Sequence, residues 1–224
     1  MKTKIFATNI ENFSKYYQQG LNLVSEEKRE EILKFRFKED RWRKLISALL
    51  LRYVVIKYLG IKDCSILLNK YGKPSLKNYP DFYFNISHSG NWVVIAIGDS
   101  SIGIDVEVIK KFRDFMDIGK NYFSDMEYEA LINSDSSNKL DLFYEIWTKK
   151  ESLIKAEGKG LSIYLKSFSV PLDTVSTLSY NDNRWHFYTP DFIDLNYKFS
   201  LCITDILFLN KKISYIDSNE LLLI

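Results

Sequence analysis

Sulfur chemistry, membrane insertion and a strong electrostatic field are all poorly supplied in this 224-residue chain. Its cysteines, Cys64 and Cys202, are too few and too separated for a metal cluster or a disulfide framework. Such sparse use fits a reducing cytoplasm and speaks against catalysis by a thiol. No secretory leader is evident, because Met1–Thr8 carries basic residues but only a short apolar run before polar chain resumes. The longest apolar stretch, Leu45 to Ile56, is broken by Ser47, Arg52 and Tyr53 and is too short to span a bilayer. Net charge is only +2, so the whole-molecule field does not select nucleic acid, and any anionic ligand must be held by a local site. Hydrophobic residues make up 46% of the chain, enough for a packed core. The expectation is a soluble, cytoplasmic, monomeric globular protein with neither membrane nor nucleic acid as partner.

In chain order, Lys2–Thr8 reads as a strand, and Ser25-Glu26-Glu27 as a capped helix start with acids in its first turn. A long helix is predicted from Lys38 to Leu59, with Trp42, Leu45, Ile46, Leu49, Tyr53 and Ile56 as its buried stripe and Gly60 as its stop. Strands follow at Ser65–Leu68 and Phe82–Ile86, flanking the turn Lys70-Tyr71-Gly72-Lys73-Pro74. Ser87-His88-Ser89-Gly90-Asn91 reads as a polar loop, and Trp92–Ile97 with Ile102–Ile109 as a hairpin across Gly98–Ser101. Phe112–Tyr122 is helical in pattern. Ser124-Asp125-Met126-Glu127 has capping-box spacing, so Glu127 has a structural explanation of its own. A further helix carries Trp147 and Glu151. Short strands are expected at Phe168–Val170, Val175–Tyr180, Trp185–Tyr188, Tyr197–Ile203 and Ile213–Ile216. Each half thus pairs one long helix with several short strands, an α+β organisation. The boundary is placed at residues 1–101 and 102–224, with no flexible linker between the halves.

Chemistry concentrates in two stretches. In Ser101–Ile109, the alternation of a strand puts Ile102, Ile104, Val106 and Val108 on one face and Gly103, Asp105 and Glu107 on the other. Residues two apart on a strand are roughly 6.5–7 Å apart at Cα, so the two carboxylates can reach one hard cation, or form merely a solvated acidic face. Around Trp147–Leu161 and the residues just before it, Phe143, Ile146, Trp147, Leu153 and Ile154 share one helical arc, Lys150 falls inside it, and Glu151 and Lys155 lie one turn apart at its margin.

Together, Gly103-Ile104-Asp105-Val106-Glu107 and Trp147-x-x-Lys150-Glu151-Ser152-x-x-Lys155-x-x-Gly158-x-Gly160-Leu161 resemble the signature motifs of the 4′-phosphopantetheinyl transferases. The closer likeness is to the long, two-lobe members that activate peptide synthetases, the surfactin-synthetase-activating type. Tyr71-Gly72-Lys73-Pro74, Phe84-Asn85-Ile86-Ser87-His88-Ser89-Gly90 and Phe123-Ser124-x-x-Glu127-Tyr128 extend the resemblance in the same order over most of the chain. It implies two similar α+β lobes related by pseudo-twofold symmetry, each a long helix on a small antiparallel sheet, with the nucleotide between them. It also implies transfer of the 4′-phosphopantetheine arm of coenzyme A to a serine of an apo acyl or peptidyl carrier protein, with release of adenosine 3′,5′-bisphosphate. By the same resemblance Asp105, Glu107 and Glu151 hold Mg2+, with Mn2+ as a substitute. Lys155 contacts the pyrophosphate, Glu151 serves as base, and Glu127 assists. Lys28, Arg43, Ser87 and His88 surround the phosphates, and Tyr71, Gly72, Lys73 and Pro74 sit beside the adenine. Where similar family members carry a second lysine three residues after Lys28, this chain has Glu31.

Two other classes compete. One is a different metal-dependent phosphotransfer enzyme, such as a nuclease, built on Asp105 and Glu107. The other is a non-catalytic nucleic-acid-binding module using Lys34-Phe35-Arg36-Phe37-Lys38 and Arg41-Trp42-Arg43-Lys44.

Overall fold

A computed structural model describes residues 2–223 except 12, 63, 173–174, 193 and 206–208. In chain order the elements are β1 (Thr3–Asn9), α1 (Tyr17–Leu21), α2 (Glu26–Leu33), α3 (Lys38–Leu59), β2 (Ile66–Leu68), β3 (Pro74–Leu76), β4 (Tyr83–Ser89) and β5 (Trp92–Gly98). There follow β6 (Ile102–Val108), α4 (Phe115–Tyr122), α5 (Asp125–Asn133), α6 (Lys139–Glu157), β7 (Val175–Tyr180), β8 (Asn183–Tyr188), β9 (Tyr197–Ile203) and β10 (Leu209–Tyr215). The architecture is α+β. Two four-stranded sheets have the orders β10-β1-β5-β4 and β6-β9-β8-β7, and β2 and β3 form a small ribbon. Among the described residues no helix is long and apolar enough to cross a membrane.

Local chemistry sets the helix ends. The Ser25 side chain accepts from the Lys28 amide at 3.2 Å and starts α2. Gly60 and Gly158, with φ of 68° and 70°, close α3 and α6 in the left-handed conformation that a side chain would resist.

Strand β5 is buried along its whole length, and its two faces serve different cores. Val93, Ile95 and Ile97 pack with Leu45, Ile46 and Leu49 of α3. Trp92, Val94 and Ala96 pack instead with Ile102, Ile104 and Val106 of β6 and with Phe199 and Leu201 of β9. The apolar face of β6 therefore looks toward the first sheet, while its other face carries Gly103, Asp105 and Glu107. Helix α6 packs on that second face, with Gly103 beneath it. A Cβ on Gly103 would lie 2.0 Å from the Ser152 carbonyl oxygen and 2.4 Å from the Ala156 nitrogen, so only glycine lets helix and strand approach this closely.

Several expectations need correction. Trp92–Ile97 and Ile102–Ile109 do not form a hairpin: β5 pairs with β1 and β4, whereas β6 pairs with β9 in the other sheet. Ser87, His88 and Ser89 are not in a loop, because β4 runs to Ser89 and only Gly90 and Asn91 turn. Phe168–Val170 forms no strand. The first sheet is not wholly antiparallel. β10, from the far end of the sequence, lies parallel to β1, and Ile216 and Leu221 beyond it enter the core beneath α3.

Candidate functional site

The site grows from the seam where β4 and β6 lie side by side without a backbone ladder between them. Side chains of β4 take the ladder's place. Asn85 Oδ1 accepts from the Ile104 amide at 2.8 Å, Ser87 Oγ from the Val106 amide at 3.3 Å, and Ser89 Oγ from the Val108 amide at 3.2 Å. The β6 amides are thereby satisfied, as buried N–H groups must be. The Ser87 hydroxyl also donates to Asp105 Oδ1 at 2.8 Å, and the Ser89 hydroxyl to Glu107 Oε2 at 2.6 Å.

Helix α6 brings Glu151 and Lys155 over the same carboxylates. Lys155 Nζ donates to Asp105 Oδ1 at 2.6 Å and to Ser87 Oγ at 3.1 Å. The other oxygen, Asp105 Oδ2, is buried with no hydrogen-bond partner among the described residues. A cavity of about 310 Å³ opens here, lined by Ile86, Ser87, His88, Asp105, Glu107, Trp147, Glu151 and Lys155. Burial and then the charge of Asp105 push the Glu107 carboxyl up to about 7, and the same causes in the same order raise Glu151. Among the described residues no group of three or more His, Cys, Asp or Glu side chains is gathered closely enough to hold a metal as it stands. The donor chemistry nevertheless fits a hard divalent cation: three carboxylates share one cavity with oxygen-only donors, Asp105 has a buried oxygen without a partner among the described residues, and its charge helps raise Glu107 and Glu151.

A second cavity of about 230 Å³ adjoins the first through Glu151 and Lys155, which line both. Its walls include Tyr71, Gly72, Lys73 and Pro74 from the turn before β3, Asn85 from β4, and Ile154, Gly158 and Gly160 at the end of α6. The amine of Lys73 is committed elsewhere. Its Nζ donates to the Ala156 carbonyl at 2.7 Å and the Ile102 carbonyl at 3.2 Å, while Asn69 Nδ2 donates to the Gly158 carbonyl at 2.8 Å. Two side chains of one turn thus cap the C-terminal carbonyls of α6, where positive charge also complements the helix dipole. Desolvation lowers the Lys73 amine to about 8. The lysine therefore contributes its stem, not its ammonium, to the cavity wall.

The remaining predicted residues divide. His88 faces the first cavity, where desolvation, followed by the cations of Arg43, Lys44 and Lys155, lowers its pKa although its ring keeps an exposed side. Arg43 is held beside this rim by hydrogen bonds to the Gly90 carbonyl at 2.7 Å and to Asp40 at 2.5 Å. Lys28 lines neither cavity; its Nζ lies 2.6 Å from Glu31 Oε2, and Lys44 lies 3.5 Å from the other oxygen of Glu31. Burial opposes ionisation of Glu31, but these two lysines outweigh it and its pKa is lowered.

Glu127 does not join the site. It is 2% exposed, and its Oε2 accepts from the Ser124 amide at 2.7 Å in the capping box and pairs with Lys150 Nζ at 2.8 Å. Its Oε1 accepts from the Val170 amide at 2.7 Å. Lys150, inside the apolar arc of α6, is satisfied by Glu127 and by the carbonyls of Leu165 and Phe168. Both groups are consumed in joining α5 to α6, which removes Glu127 as a base. Conversely, Asn85, Ser89, Trp147 and Ile154 belong to the site or its frame, although the sequence alone assigns none of them a site role. The sequence reading puts Asn85 inside a strand and Ser89 in the loop after it, and a sequence does not state which strand lies across from either.

Two family models match the chain: one described as 4′-phosphopantetheinyl transferase, N-terminal, over residues 11–100, and one as 4′-phosphopantetheinyl transferase superfamily, over residues 101–202. Over 190 residues the chain is 39% identical to 4′-phosphopantetheinyl transferase Sfp of Bacillus subtilis, covering 83% of this chain and 84% of that protein. It is 36% identical to 4′-phosphopantetheinyl transferase gsp of Aneurinibacillus migulanus, covering 80% and 76%. A mouse L-aminoadipate-semialdehyde dehydrogenase-phosphopantetheinyl transferase matches at 34% over 66% of this chain and 52% of its own length.

Proposed function

The chain belongs to the 4′-phosphopantetheinyl transferase superfamily, and from that premise we propose that it moves the 4′-phosphopantetheine arm of coenzyme A onto a serine of an apo acyl or peptidyl carrier protein, releasing adenosine 3′,5′-bisphosphate. The observation that carries this reading is the junction of the two cavities at Glu151 and Lys155. One cavity offers carboxylates and a cation to a pyrophosphate. The other offers a mostly apolar slot, walled by Tyr71, Gly72, Pro74 and the Lys73 stem, suited to a flat base.

In this reading the carrier's serine oxygen forms a bond to the phosphorus bearing the pantetheine arm, and the anhydride P–O bond to the nucleotide breaks. The carboxylate of Glu151 takes the hydroxyl proton, and Lys155 Nζ meets the charge that grows on the departing phosphate. Asp105, Glu107 and Glu151 would hold Mg2+, or Mn2+, which when bound neutralises pyrophosphate charge. Ser87 and His88 orient the phosphates from β4, and Arg43 and Lys28 supply positive charge at the rim.

The test is to incubate the protein with coenzyme A, Mg2+ and several apo-carrier proteins and to weigh the carriers by mass spectrometry. The expected product is a carrier heavier by one phosphopantetheine, on its serine only, and absent after exhaustive chelation. Full activity in chelator would sink the metal reading, and no mass gain on any carrier would sink the transfer itself.

A further inference from the structure

Ser87 and Ser89 use their hydroxyls in one repeated way. Each accepts the amide of an even-numbered β6 residue, Val106 or Val108, and donates to the carboxylate one position earlier, Asp105 or Glu107. A serine hydroxyl has one proton. Once the peptide N–H points at a lone pair of Ser89 Oγ, that proton is left to Glu107 Oε2, 2.6 Å away. The bond is charge-assisted, and so of the strong kind, when Glu107 is ionised. Ser87 is shared with Lys155, which also binds Asp105. For Glu107, Ser89 is the side chain that fixes one carboxylate oxygen and leaves Oε1 outside the bond.

We propose that Ser89 is a positioning residue for Glu107: the first sheet, through the last residue of β4, sets the orientation in which the second sheet's carboxylate meets a cation. Ser89 does not line the cavity and touches no reacting group. Its effect is exerted through Glu107, and this inference rests on the metal-holding role of Asp105, Glu107 and Glu151 given above.

The experiment counts free Mn2+ by electron paramagnetic resonance as the ion is titrated into the protein, with coenzyme A kept below the protein concentration and no carrier present. Outer-sphere partners of metal ligands typically contribute about 10–100-fold in affinity, and Ser89→Ala should weaken Mn2+ binding at the lower end of that range. Ser89→Thr, which keeps the hydroxyl, should recover most of the loss, and thermal melting without metal shows whether each variant is folded. If the alanine protein does not fold, Ser89→Cys, with its weaker donor, takes its place. Wild-type Mn2+ affinity in a folded Ser89→Ala protein, or a folded threonine variant as weak as alanine, would overturn the inference alone. No binding by the wild-type protein would remove the metal reading and this inference with it.

Discussion

At the scale of single residues, the position that departs from the family pattern has the clearest physical consequence. Glu31 sits between Lys28 and Lys44, 2.6 Å and 3.5 Å away, and neutralises cations beside the rim where His88 and Arg43 stand. An incoming phosphate at this rim must compete with a carboxylate that is already paired. The pair is well exposed, so the competition is modest, on the order of 1 kcal/mol or about fivefold in affinity, and is weakened by salt. Glu31→Lys should therefore tighten coenzyme A several-fold at low ionic strength, leave kcat nearly unchanged, and hardly alter binding of dephospho-coenzyme A, which lacks the 3′-phosphate. Isothermal titration with both ligands at two salt concentrations checks this; equal shifts for both, or none, would place Glu31 away from that phosphate. Glu127 teaches the opposite lesson. Its capping-box spacing is plain in the sequence and accounts for part of its bonding, which the buried Lys150 and the Val170 amide complete, partners that no periodicity could name.

Between elements, the contact that matters is the turn of residues 69–73 against the end of α6. A Cβ on Gly158 would come within 2.5 Å of Lys73 Cδ, so the helix stop and the docking of the turn depend on the same glycine. The lowered pKa of Lys73 fixes the sign of a pH effect. Between about 8, where the folded amine loses its proton, and 10.5, where the unfolded one does, the unfolded chain binds more protons, so the Lys73 contribution to stability rises with pH. Urea unfolding of wild type and Lys73→Met at pH 7.5 and pH 10 should show the difference moving in favour of wild type at the higher pH, by on the order of 1–3 kcal/mol. A pH-independent difference would mean that the amine is not buried as charge. Helix α3 was legible to its terminal Gly60, and α6 to an end at Gly158 or Gly160, of which the structure has Gly158, because glycine stops and a 3.6-residue stripe are local signals. The pairing of β6 was not. The short link from Gly98 to Ser101 suggested a hairpin, yet β5 is already flanked by β1 and β4 and has no free edge left.

Across the whole molecule, the active face is shared. Carboxylates from β6 and the side chains of α6 meet hydroxyls from β4, so neither half of the sequence contains the site. The alternation in residues 101–109 showed which face of β6 was acidic. What lay against each face depended on packing between sheets, which no local pattern encodes. The first sheet in turn depends on residues far down the chain: Leu221 is 1% exposed in the core under α3. Leu221→Ala should lower stability by about 2–5 kcal/mol, visible as a fall in Tm, and should leave the metal-dependence of transfer unchanged; a Tm within a degree of wild type would show that this segment is not anchored there. Because Thr3 pairs with Leu209 and Ala7 with Tyr215, β1 leaves the ribosome long before its outer neighbour has been made. During synthesis β1 waits with an unpaired edge, and the sheet closes only after both halves have emerged. Nascent chains of this protein should thus be slow to mature and exposed to edge-to-edge association until the last strand arrives.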